Sequence, residues 1–201
     1  MIKAVIFDWG GVLIDNPSTK LVNYCAAKLN VKVDLFAKEF IKYISYSMKG
    51  TMSENDIWTN VCESLNIPPP KSKSLWKDAV IHSFTDKSES YALIERLRKN
   101  GYKTGILSDT EKPTVEYFHE NNYDKYFDAK VFSCDEGLIK PEKEIYFLAL
   151  ERLGVLPEEA VFIDDKPELI EAAKKLGING IVYKTHEQVV KELNLLSVNT
   201  N

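Results

Sequence analysis

Asp8, Ser108, Lys140 and the pair Asp164-Asp165 are the residues of this chain whose types and placement suit chemistry. A carboxylate can attack a phosphoryl group and hold it as an aspartyl-phosphate. Nucleophile and phosphoryl group are both anionic, so the step calls for a hard cation between them. Mg²⁺ suits this role because it prefers oxygen ligands, keeps several waters and needs few protein carboxylates. Asp8 and Asp165 are the candidate direct ligands, with Asp164 holding a metal-bound water. Lys140 would neutralise charge on the phosphoryl oxygens, and Ser108 would donate a hydrogen bond to them. Read singly, each residue has a plainer role. Asp8 suits a turn ahead of Gly10-Gly11, Ser108 and Asp164-Asp165 suit helix caps, and Lys140 suits a solvated surface. Adjacent carboxylates repel, however, and two of them closing an apolar strand require a compensating cation.

What joins these residues is position. Residues 2–7 are a short β-branched apolar run that stops at Asp8-Trp9-Gly10-Gly11. Residues 102–107 stop at Ser108-Asp109-Thr110, and residues 160–163 stop at Asp164-Asp165. Residues 179–183 form a fourth run and residues 128–132 a weaker fifth, with Lys140 in the loop that follows it. Such runs read as buried strands. Between them, residues 88–99, 113–121, 142–153 and 167–176 carry apolar residues at helical spacing. Asn100-Gly101, Gly154 and Gly177 end three of these helices, and Pro113 and Pro167 begin two. Strands alternating with helices predict a doubly wound, Rossmann-like α/β fold with a parallel sheet, whose ligands bind beyond the carboxyl ends of the strands. Residues 16–87 differ. They hold helical patterns at 18–29, 34–48, 53–65 and 73–83 and no buried strand, which reads as a small α-helical cap inserted after the first strand. The expected division is a core of residues 1–15 and 88–201 and a cap of residues 16–87.

Composition sets the class. The 201 residues are 44% hydrophobic and 28% charged, with a net charge of −4. A mildly acidic chain has no overall attraction to nucleic acid or to an anionic membrane, so neither is an expected partner. No stretch approaches a membrane-spanning length. The three cysteines, Cys25, Cys62 and Cys134, are scattered and form no C-x-x-C pair, which fits reduced thiols in a cytoplasmic protein. Nothing in the sequence specifies an oligomeric state. The tail from 197 to 201 is polar and reads as frayed. Tyr43, Tyr46, Trp58 and Trp76 of the expected cap fit a helical core better than a pocket wall, and His82 and His119 have no ligand-like spacing.

At these residues the chain resembles the haloacid dehalogenase (HAD) superfamily of hydrolases. Four short segments carry the resemblance, in order: Val5-Ile6-Phe7-Asp8-Trp9-Gly10-Gly11, Ile106-Leu107-Ser108-Asp109, Lys140-Pro141, and Val161-Phe162-Ile163-Asp164-Asp165. It spans residues 1–15 and 88–185. The resemblance implies a HAD-like core with a helical cap and a small phosphorylated metabolite, such as a sugar phosphate, as substrate. It implies Asp8 as nucleophile and Ser108 and Lys140 as phosphate binders, with Asp109 counted beside them. It implies Mg²⁺ as cofactor, held by Asp8, Asp165 and the backbone carbonyl of Gly10.

Two positions depart from the family pattern. Phosphatases of the family usually carry a second aspartate two residues after the nucleophile, as general acid and base; here that position is Gly10. Asp109 stands where asparagine is common. Gly10 keeps two other readings open, a catalytically impaired binding or regulatory protein and a metal-independent 2-haloacid dehalogenase. The pair Asp164-Asp165 argues against the dehalogenase.

Overall fold

Parallel pairing decides which residues meet at the strand ends. The computed structural model describes residues 1–201. Its five strands, β1 (Ala4–Phe7), β2 (Lys103–Ser108), β3 (Ala129–Phe132), β4 (Ala160–Asp164) and β5 (Asn179–Val182), form one sheet in the order β3-β2-β1-β4-β5. Every pairing is parallel. The helices are α1 (Ser18–Lys28), α2 (Val33–Met48), α3 (Glu54–Leu65), α4 (Leu75–Ser83), α5 (Ser88–Lys99), α6 (Lys112–Glu120), α7 (Ser133–Glu136), α8 (Lys143–Leu153), α9 (Pro167–Lys175) and α10 (His186–Leu195). β1 is central and buried along its whole length, which is why its sequence is continuously apolar rather than alternating. The chain builds outward from β1 to β3, then starts the other side at β4. The ends of β1 and β4 therefore flank a topological switch point.

Register then does the positioning. Phe7 lies opposite Ile106 of β2 and Ile163 of β4. One residue further on, Asp8 and Asp164 come side by side, and the Asp8 amide donates to the Ile163 carbonyl at 2.9 Å. Side chains alternate across the sheet. Val5, Phe7, Val161 and Ile163 face a core completed by α5, α6 and α10. Ala4, Ile6, Ala160 and Phe162 face a second core completed by α8 and α9. Helices on both faces make this the doubly wound α/β fold expected. Asp8 and Asp164 continue the second series, so both carboxylates point to the α8–α9 side.

Helices α1 to α4 pack round an apolar cluster of their own that includes Cys25, Phe36, Trp58 and Val80. Phe40 stacks on Trp58 at 5.8 Å and on Trp76 at 5.1 Å. Ser53 and Ser74 cap α3 and α4 by accepting from the amides of Asp56 and Lys77. The chain enters and leaves this helical segment through two crossings held together by main-chain bonds, Asp15 N–H to Thr85 O at 3.0 Å and Lys87 N–H to Leu13 O at 2.9 Å. The cysteines are free and buried.

The C-terminal tail corrects one expectation. Polar residues 197–201 do not fray. Val198 and Thr200 are buried, Arg96 Nε donates to the Thr200 carbonyl at 2.8 Å, and Asn100 Nδ2 donates to the carbonyls of Asn199 and Asn201. The tail's exposed carbonyls find donors on α5 and the turn after it, which compensates the entropy of ordering it.

Candidate active site

Lys140 is the centre of the site. Its loop leads from α7 to α8 and lays the side chain across the ends of β1 and β4. The ammonium donates to Asp8 Oδ1 at 2.9 Å, to Asp164 Oδ2 at 2.7 Å and to the Leu107 carbonyl at 3.3 Å. Its side chain is 2% exposed, so the surface role that a lone lysine suggests is excluded. Burial disfavours the ammonium, but Asp8, Asp164 and Asp109 outweigh it and hold the proton above the usual lysine range. For Asp8 the balance runs the other way. Burial raises its carboxyl above the ordinary value, Lys140 opposes the rise and Asp164 adds to it.

The remaining residues take distinct places. Asp164 is fully buried, with one oxygen on Lys140 and the other accepting from the Lys166 amide at 2.8 Å. Asp165 points elsewhere. Its Oδ1 is buried with no hydrogen-bond partner, and its Oδ2 receives only a long 3.5 Å contact from Asn16 Nδ2. Gly11 makes room for it. This residue has φ +85°, and a Cβ there would sit 2.3 Å from Asp165 Oδ2. Ser108, Asp109 and Gly10 line the same cavity, of about 710 Å³, as Asp8, Lys140 and Asp165. Asp109, counted with the phosphate binders, has a further contact. Its carboxylate accepts from the Lys140 amide at 3.0 Å, so it fastens the lysine loop.

These atoms fit a divalent cation. Carboxylate oxygens of Asp8, Asp164 and Asp165 lie within 4.8 Å of one another. Asp8 and Asp164 share one buried ammonium, Asp109 and Asp165 add two more carboxylates to the same cavity, and one oxygen of Asp165 is buried without a partner. A hard, oxygen-seeking ion would correct both the charge excess and the orphaned oxygen.

One residue of the site carries no sequence signal at all. Glu111 follows the β2 loop and reads as an ordinary residue before a helix, yet it is 6% exposed and lines the cavity. Trp76 Nε1 of α4 donates to its Oε2 at 3.0 Å, and the Thr114 hydroxyl approaches the same oxygen at 3.3 Å. Trp76 thus reaches the cavity wall, whereas Trp58 stays in the helical core and Tyr46 is exposed. Burial pushes the Glu111 carboxyl from 4.5 up to about 7, against the hydrogen bonds from its own amide, Trp76 and Thr114. A raised carboxyl favours the folded chain fully below its unfolded value and loses that contribution as pH climbs through the folded one. Glu111→Gln should therefore match wild type near pH 5 and exceed it near pH 8 by on the order of 3 kcal/mol, measured by denaturant unfolding at both pH values. A gap that does not widen with pH would remove the buried-acid assignment.

A family model for haloacid dehalogenase-like hydrolases matches residues 2–177. The chain belongs to that family. Among curated proteins, this HAD hydrolase is 35% identical to a phosphorylated carbohydrates phosphatase of Thermotoga maritima, over 92% of the chain and 86% of the relative. It is 30% identical to mouse acyl-CoA dehydrogenase family member 10 over 96% of the chain, but spans only 19% of that longer protein. Among solved structures, a HAD family enzyme from Bacteroides thetaiotaomicron, in complex with magnesium and inorganic phosphate, superposes with a TM-score of 0.77. The two are 22% identical, and the match covers 92% of this HAD chain and 95% of that one.

Proposed function

We propose that this HAD hydrolase is a Mg²⁺-dependent phosphatase that cleaves a small phosphomonoester through an aspartyl-phosphate on Asp8. One observation carries the reading: a buried lysine bonded at once to Asp8 and Asp164, beside an unpartnered buried oxygen of Asp165. The phosphatase name of the Thermotoga relative supports it, as does the magnesium and phosphate complex of the Bacteroides enzyme. Residues 16–87 act as a cap over a core of residues 1–15 and 88–201. No helix is long and apolar enough to cross a membrane, and we take the substrate from among cytoplasmic metabolites.

In the reaction, an Asp8 oxygen attacks phosphorus, a new P–O bond forms and the bond to the alcohol oxygen breaks. Water then attacks phosphorus, the bond to Asp8 breaks, and the carboxylate and inorganic phosphate are released. The departing alkoxide takes up one proton and the water gives one up. Lys140 and the Ser108 hydroxyl stabilise charge on the phosphoryl oxygens, and Asp109 keeps the lysine loop in place. Asp8, Asp165 and the Gly10 carbonyl would hold Mg²⁺, with Asp164 reaching it through water. When bound, the ion supplies electrostatic screening between carboxylate and phosphoryl group. Phosphate release from a broad phosphomonoester panel, with Mg²⁺ and then with excess EDTA, tests the proposal. Release that EDTA abolishes is expected; no release from any member would defeat it.

Gly10 supplies neither proton. A Cβ at this position would meet only Pro17 Cδ, at an ordinary 3.5 Å. Gly10→Asp therefore fits, and it should raise kcat by ~10²-fold, the lower part of the range for positioned acid–base groups. An unchanged kcat would mean that another group already handles the protons. Gly10 also sustains the second reading, a binding protein without turnover. Tight BeF₃⁻ binding with Mg²⁺ and no hydrolysis of any phosphoester would favour it.

A further inference from the structure

The two ends of the cavity differ in chemistry. At one end lie Asp8, Ser108, Lys140 and Asp165. Facing them, α2 presents Ala37, Phe40, Ile41, Ile44 and Met48, spaced as one face of a helix, and α1 adds Val22. None of these side chains can donate a hydrogen bond, and only the Met48 sulfur accepts one, weakly. The polar side chains Asn16 and Ser18 lie at the very start of the helical segment, where the Asn16 oxygen accepts from the Ser18 amide and its nitrogen approaches Asp165. Lys166 directly follows Asp165, and Glu168 lies in the first turn of α9, so both come from the β4–α9 connection. On the α4–α6 side the Trp76 indole donates to Glu111 and Thr114 packs against both, while Thr110 belongs with Ser108 and Asp109 at the end of β2.

We infer that the leaving group is an apolar alcohol on the order of ten carbon atoms long, carrying no hydroxyl other than the one esterified to phosphate, seated against α2. The inference rests on the phosphatase reading and narrows its substrate class. A sugar would bring several hydroxyls into a wall of aliphatic and aromatic carbon, where each loses its bonds to water and gains none. An alkyl chain gains from the same wall with every carbon it buries. Phe40 belongs to the core of the helical segment and Val22 and Ile44 pack against it, but the stripe runs on past that core. Ile41 is 70% exposed and Ile44 and Met48 are half-buried, whereas Phe36, one turn back, is fully enclosed. The carbohydrate phosphates named for the Thermotoga relative are the competing class.

The experiment compares octyl phosphate, glucose 6-phosphate and acetyl phosphate with the whole chain and Mg²⁺. The first two are primary-alcohol phosphates of similar intrinsic reactivity, so their ratio of kcat/KM reports the wall. Octyl phosphate should be preferred by ~100-fold, the discrimination expected from several buried methylenes. Ile44→Asn should cut that preference ~10-fold, mainly through KM, and the exposed Ile41→Asn does the same should Ile44→Asn fold poorly. Glucose 6-phosphate equal to or better than octyl phosphate overturns the inference while leaving the phosphatase intact. A preference untouched by both substitutions also overturns it. Release from none of the three compounds, the acyl phosphate included, overturns the inference, and the phosphatase reading falls with it only when the broad phosphomonoester panel also gives no release.

Discussion

Asp8→Asn should leave a folded protein with no multiple turnover, a loss on the order of 10⁴-fold or more in kcat. The amide is the same size as the carboxylate and its oxygen can still accept from Lys140. The ammonium also keeps Asp164 at 2.7 Å. Stability should consequently change little, and a circular dichroism melt separates lost chemistry from lost fold. What the amide lacks is a nucleophilic oxygen anion. Turnover within tenfold of wild type would mean that Asp8 positions rather than attacks.

Lys140→Met should cost both fold and function. Its ammonium is enclosed, with Asp8, Asp164 and the Leu107 carbonyl as partners. Removing one member of a buried ion pair leaves uncompensated charge, which typically costs about 3–5 kcal/mol. Here two carboxylates are stranded. Without the lysine, burial and Asp164 act on Asp8 against only the hydrogen bond from the Trp9 backbone, so the nucleophile is driven further towards its neutral form. Denaturant midpoints should fall accordingly, and kcat should drop by ~10²–10³-fold beyond any unfolding, as for loss of a donor to developing charge. A second substitution, Asp164→Asn, made in the Lys140→Met background should return part of the stability, because one of the two stranded charges is gone. If Lys140→Met is as stable as wild type, the buried pair is not holding the strand ends together.

The strands and their polar terminators were legible because a buried parallel strand is uniformly apolar and must stop when a charge appears. Asp8 after Phe7 and Asp164 after Ile163 are visible for that reason. That they become neighbours is a matter of register between β1 and β4, which local sequence does not encode. Lys140 was legible only through its company, since a lone lysine in a loop reads as solvated. The use of Asp109 was hidden because a carboxylate beside Ser108 looks the same whether it faces a ligand or the Lys140 amide. Glu111 was invisible. Its burial comes from Trp76, 35 positions earlier, and from the way α4 lies against α6. Helix α10 carries a capping box of Thr185 and Gln188 that the eye passes over beside so polar a stretch. The docked tail depends on donors from Arg96 and Asn100, which only the fold brings near.

The most direct test of Asp8 as nucleophile is a rapid acid quench during turnover of a ³²P-labelled phosphomonoester, followed by proteolysis and mapping of the label. The expected result is one labelled peptide containing Asp8. The label should be released by hydroxylamine, as an acyl phosphate requires, and absent from Asp8→Asn. Label on any other residue, or steady turnover by Asp8→Asn, would contradict the assignment.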